Sequence, residues 1–105
     1  MNLEAHIRRQ QIWSENVFGP GDRLEGVLKH ITKEVQEVRD GEGNDLFEWI
    51  DVIILAIDGA WRSGFEAHEI ARALTLKQEV NELRRWPNWR ERPLDESIEH
   101  KRAGR

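Results

Sequence analysis

The chain has 105 residues, no cysteine and a formal charge of -4 from 16 basic and 20 acidic side chains; a single small domain over residues 1–105 is expected, with a core limited enough to favour self-association. The acidic balance argues against a nucleic-acid partner, and without cysteine neither a disulfide framework nor a thiolate metal site can form, which suits a reducing cytoplasm. The start Met1-Asn2-Leu3-Glu4 lacks the basic and apolar regions of a signal peptide, and no stretch approaches the roughly 18 uncharged residues of a membrane span, so no membrane partner is expected.

Strand signals are weak, and clusters of Gly and Pro cut the chain into helical lengths. The first helix is predicted from about Leu3 to Val17, ending at Phe18-Gly19-Pro20-Gly21, which cannot continue a helix. Asp22 is expected to cap a second helix, with Glu25 as its capping-box partner, running to about Asp40 before Gly41. Asn44 or Asp45 restarts a third helix reaching Ser63, and Gly64 ends it. A fourth is predicted from about Glu66 to Trp86, before Pro87. The polar tail has one candidate short helix at Asp95 to Lys101. Short connections make consecutive helices antiparallel neighbours, so the expected fold is all-α, a four-helix bundle.

The third helix is apolar around most of its circumference from Trp49 to Trp61, the pattern of a buried helix. Its Glu48, Asp51 and Asp58 fall in one stripe within about 80 degrees. Glu34 and Glu37 on the second helix and Glu48 and Asp51 on the third are both i, i+3 pairs, so each lies on one face. The pairs are equidistant from the middle of the hairpin joining the two helices. That sets Glu34 level with Asp51 and Glu37 level with Glu48. Beside the apolar stripe Val27, Leu28, Ile31, Val35 and Val38, four converging carboxylates require a compensating positive charge. Taken singly, each pair also reads as solvated helix charge, and Glu48 as a capping-box partner of Asp45. An all-oxygen donor set selects Mg2+, with Mn2+ as a substitute, over zinc or copper.

On the fourth helix Lys77, Asn81 and Arg84 are spaced i, i+4, i+7 on one face, a candidate clamp for a polyphosphate as well as a solvated basic helix end. Trp13, Trp86 and Trp89 fit core or interface roles as well as stacking on a base. His30 precedes Glu34 by one helical turn and is placed to support that carboxylate.

Several segments together resemble the MazG-like all-α nucleotide pyrophosphohydrolases, whose metal motif is Glu-x-x-Glu followed by Glu-x-x-Asp. The resemblance is closest to the dATP/dGTP diphosphohydrolase branch. It rests on His6-x-x-Arg9-Gln10-x-x-Trp13-Ser14, Phe18-Gly19-Pro20-Gly21, Gly26-Val27-Leu28-x-His30-Ile31 and the run Glu48 to Ala56. It continues through Asp58-Gly59-Ala60-Trp61-Arg62, then Lys77-Gln78-x-x-Asn81-Glu82-x-Arg84-x-Trp86-Pro87-x-Trp89 and Ile98-Glu99-His100. The resemblance implies hydrolysis of a purine nucleoside triphosphate to the monophosphate and pyrophosphate. It further implies magnesium held by Glu34, Glu37, Glu48 and Asp51, a substrate-side motif of Lys77, Asn81 and Arg84, and a homodimer or homotetramer. Two features depart from the wider family: Lys33 stands where a second acid often precedes Glu34, and only ten residues, 38 to 47, separate the pairs.

Under this reading Glu37 is the candidate base that takes a proton from water, and Trp13 or Phe18 the candidate stacking partner of the base. A pyrimidine-directed dUTP or dCTP pyrophosphatase is the neighbouring alternative. A non-enzymatic helical interaction protein is an alternative of another class. A di-iron bundle requires Glu-x-x-His, which is absent from the chain. His68-Glu69-Ile70-Ala71-Arg72 misses a zinc-protease motif at Arg72.

Overall fold

The computed structural model describes residues 2–102 and contains four α-helices, with no strand among the described residues. These are α1 (Leu3–Phe18), α2 (Leu24–Asp40), α3 (Leu46–Arg62) and α4 (Ala67–Leu83), followed by a 3-10 turn at Trp89–Glu91. Among the described residues no helix is long and apolar enough to cross a membrane. The chain divides into two compact units, one reaching to Arg72 and the other beginning at Ala73.

In the first unit, local chemistry sets the helix ends. Asn2 Oδ1 accepts the Ala5 amide at 2.9 Å and opens α1. At the other end Gly19 takes φ +87°, left-handed space that a Cβ would disfavour, while its amide still reaches Glu15 O at 3.0 Å. The expected cap at Asp22 with Glu25 as its box partner is corrected: the cap position is Arg23, which makes no side-chain cap bond, and Asp22 instead accepts the Leu24 amide at 2.9 Å from one residue further out. The α2–α3 loop turns through Glu42 and Gly43, both at positive φ, and the Trp49 indole donates back to Gly43 O at 3.0 Å. Asp45 Oδ1 then accepts the Phe47 amide at 2.9 Å and starts α3.

Helix α3 packs on both α2 and α1. It lies close against α2 at Gly59, where an added Cβ would stand 3.4 Å from Val27 Cγ1. This pairing agrees, to within one residue, with the register that sets Glu34 level with Asp51. The buried apolar side chains of the unit are Ile7, Val27, Trp61 and Ala67. The expectation of a buried helix from Trp49 to Trp61 is corrected: Trp49 is 50 % exposed and Ile53 52 % exposed. Its neighbours α1 and α2 cover one side of the helix, and its apolar circumference extends beyond them.

In the second unit, the Trp86 indole donates to Asn81 O at 2.7 Å and its ring meets His100 edge-on at 5.9 Å. The Lys101 amide donates to Arg85 O at 2.7 Å. The expected helix at Asp95 to Lys101 does not form. Two polar turns are too short to sustain a helix alone, and the end of the segment is drawn into the bond with Arg85 instead.

Candidate functional site

The buried face of α2 carries one charged residue, Glu34, only 8 % exposed. Its Oε1 lies 3.2 Å from His30 Nε2, one turn earlier, as the spacing predicts. Its Oε2 is buried and has no hydrogen-bond partner. An orphaned carboxylate oxygen in this position is costly unless something positive meets it.

Glu37 and Glu48 are half-buried, and Asp51 is exposed. The Glu37 carboxyl is raised above its ordinary range, first by the nearness of the Glu34 carboxyl, with which it would hydrogen-bond once either is protonated, then by the Glu34 charge and by burial; Lys33 and His30 oppose the rise. Glu48 is raised too, by burial and by the charges of Asp45, Glu37, Asp51 and Asp40. Its Oε2 is folded back toward the end of α2, where a Cβ on Gly41 would stand 3.2 Å away. The hairpin thus gathers an acidic seam whose members oppose one another's ionisation. Among the described residues no three acidic or histidine side chains converge closely enough to form a finished metal cage. The all-oxygen donor set and the orphaned Glu34 oxygen nevertheless fit a hard divalent cation.

Glu34 and Asp51 also line a cavity of about 280 Å³ between the end of α1, α2 and α3. Its other end is aromatic: Trp13 and Phe18 stand edge to face, with ring centroids 5.6 Å apart and an interplanar angle of 83°. His30 lines the cavity, as does Arg23, which donates to Phe18 O at 3.1 Å. One hollow therefore places carboxylates at one end and a π-rich wall with a guanidinium at the other. With a hard cation between the carboxylates and the ligand, such a surface suits a ligand that is anionic at one end and planar at the other.

Asp58, which the sequence grouped with the acidic stripe, behaves differently from Glu48 and Asp51. It is 7 % exposed and accepts from Gln10 Nε2 at 2.8 Å, Ser14 Oγ at 2.7 Å and Trp61 Nε1 at 3.1 Å. The periodicity of α3 places Asp58 on this face, but no pattern within α3 reveals donors arriving from α1. Arg23 and Arg62 were also missed as cavity residues; their signal was only that they flank or belong to motif segments.

Lys77, Asn81 and Arg84 lie in the second unit. Lys77 is exposed, and Asn81 and Arg84 are half-buried. Because α4 ends at Leu83, Arg84 does not extend the helical face that the spacing predicts; its Nη1 turns back to Asn81 Oδ1 at 3.4 Å. The approach to Pro87 explains the early end, since a residue preceding proline is pushed out of helical space.

No curated protein matches the chain. No solved structure matches it either. The profile of the dATP/dGTP pyrophosphohydrolase family matches residues 6–104. That span takes in α1, the acid-bearing hairpin, the aromatic end of the cavity and the Lys77–Arg84 segment, so the chain belongs to the dATP/dGTP pyrophosphohydrolase family.

Proposed function

We propose that this protein hydrolyses dATP and dGTP to the monophosphate and pyrophosphate in a reaction that requires a divalent cation, magnesium or in its place manganese. The observation that carries the reading is the buried Glu34 carboxylate, with one oxygen orphaned, lining the same cavity as Asp51 and the Trp13–Phe18 wall.

Glu34, Glu37, Glu48 and Asp51 would hold the cation. When bound, it would supply Lewis-acid activation of water and neutralise phosphate charge. The protein's own groups do the rest. Water adds across the α–β phosphoanhydride bond: its oxygen joins the monophosphate, the anhydride bond breaks, and pyrophosphate leaves with the bonding electrons. Glu37 is the proposed acceptor of the water proton, and its raised affinity for a proton suits that task. His30 holds Glu34 in place. Trp13, with Phe18 beside it, takes the purine; Lys77, Asn81 and Arg84 are assigned to the triphosphate on the family motif. The same reading places the enzyme in the cytoplasm as a homodimer or homotetramer, which the exposed Phe47, Trp49 and Ile53 support.

The test is product analysis of the purified protein against a panel of ribo- and deoxyribonucleoside triphosphates, with and without magnesium, resolving pyrophosphate from orthophosphate. Magnesium-dependent pyrophosphate with dAMP or dGMP is the expected result. Cleavage confined to dUTP or dCTP would replace the purine assignment. No cleavage with any cation would leave the seam a binding feature.

A further inference from the structure

The segment Asp58-Gly59-Ala60-Trp61-Arg62 takes no part in the reaction just described, yet it ends α3 with two opposite charges more than nine-tenths buried: Asp58 is 7 % and Arg62 8 % exposed. Burying both is unfavourable unless each is fully bonded. They meet through Ser14, whose hydroxyl accepts from Arg62 Nη2 at 3.0 Å and donates to Asp58 Oδ2 at 2.7 Å. Arg62 Nη1 donates to Gly19 O at 2.9 Å and to Gly21 O at 3.0 Å. One guanidinium thus grips the end of α1 and both glycines of the loop that follows it. Both glycines sit at positive φ, +87° and +92°, so this loop conformation is one that few residues adopt unaided. Only a planar fork can serve these acceptors at once; a lysine ammonium lacks the reach and the geometry.

Phe18 immediately precedes the gripped loop, and its carbonyl is taken by Arg23. Its ring stands edge-on to Trp13 at the aromatic end of the cavity. The carboxylate Asp51 lies seven residues before Asp58, about two helical turns away. The network therefore bears on the aromatic wall and is remote from the acidic seam.

We infer that Arg62 is the positioning residue of the aromatic wall: although its side chain also borders the cavity, it acts through Ser14, Gly19 and Gly21 to hold Phe18 against Trp13 and so sets recognition of the purine. This rests on reading the cavity as the nucleotide site.

The experiment compares wild type with Arg62→Lys, with magnesium present, using two quantities: KM for dGTP, and the inhibition constant of a deoxyribose triphosphate that lacks a base. The ratio of the two isolates the base. Arg62→Lys is expected to raise it by about 10- to 100-fold, the scale of losing one base–aromatic stack, with the change in KM rather than kcat. A general loosening of the fold weakens both ligands together; an unmoved ratio of that kind overturns the proposal. Phe18→Ala, at an exposed position, should reproduce the rise. The double variant should then exceed neither single by much, because both changes remove one wall; independent, multiplying losses overturn it. If Arg62→Lys fails to fold by circular dichroism, Ser14→Ala removes only the hydroxyl link, and the same ratio must still rise; no rise overturns the proposal. A wild-type protein that cleaves no nucleotide fails the reading beneath, an outcome visible before any variant is made.

Discussion

Glu37 and Glu48 each hold a proton more tightly than an isolated carboxyl, Glu48 first because of burial and both because other acids surround them. The sign of the resulting pH dependence follows from linkage. Below the ordinary value of 4.5 both folded and unfolded chains are protonated, and there is no penalty. Above the raised value the metal-free fold bears the full repulsion. Glu48→Gln should therefore raise the melting temperature of metal-free protein at neutral pH, with the gain vanishing in acid; a variant that melts lower than wild type at neutral pH would contradict the repulsive seam. Ser14 presents the opposite case. It is fully buried and links Asp58 to Arg62, so Ser14→Ala leaves buried polar groups short of a partner at a cost of about 1–3 kcal/mol, measurable by urea denaturation. A loss within error would mean that water reaches those groups. The Glu34–His30 pair was legible from the one-turn spacing alone. The donors to Asp58 were not, because they come from residues more than forty positions away that no local pattern connects.

Capping and turn chemistry account for most of the elements. Gly19, Asp45 and Gly41 end or start helices close to where the sequence predicts, because these residues act through their own backbone or a short side chain. The hairpin register was also legible, since i, i+3 acids on both sides of a short loop admit only one antiparallel alignment that pairs them, and Val27 against Gly59 agrees with it. Gly43 is the point where that hairpin is most exposed to a single change: it sits at φ +72°, and a Cβ there would stand 3.4 Å from the Trp49 ring. Gly43→Ala should cost about 1–2 kcal/mol from the left-handed backbone alone, seen as a lowered thermal midpoint; an unchanged midpoint would show that the loop readily adopts another turn. The end of α4 and the tail were misread because helical spacing ignores what competes for the backbone: Pro87 stops the helix, and the Lys101 amide bonds to Arg85.

At the scale of the whole molecule, an apolar circumference from Trp49 to Trp61 reads as burial, but α1 and α2 leave Trp49 and Ile53 in the open. Sequence patterning reports how much apolar surface a helix carries and not what covers it. The site divides in a similar way. The i, i+3 spacing that marks the four acids as candidate cation ligands is readable in the sequence, whereas the aromatic wall depends on a loop whose position is set by Arg62. The proposed function joins the two halves into one expectation, the acidic end, through its cation, for the triphosphate and the aromatic end for the purine. The most direct test of that account is pyrophosphate release from dGTP in the presence of magnesium by wild type and by Asp51→Asn, each checked for helicity by circular dichroism. Asp51 is exposed, so its amide should leave the fold intact. The account predicts release by wild type and a loss of about 100-fold or more in the helical variant, at least the scale on which weakening a metal site acts; an Asp51→Asn protein that releases pyrophosphate at the wild-type rate would contradict it.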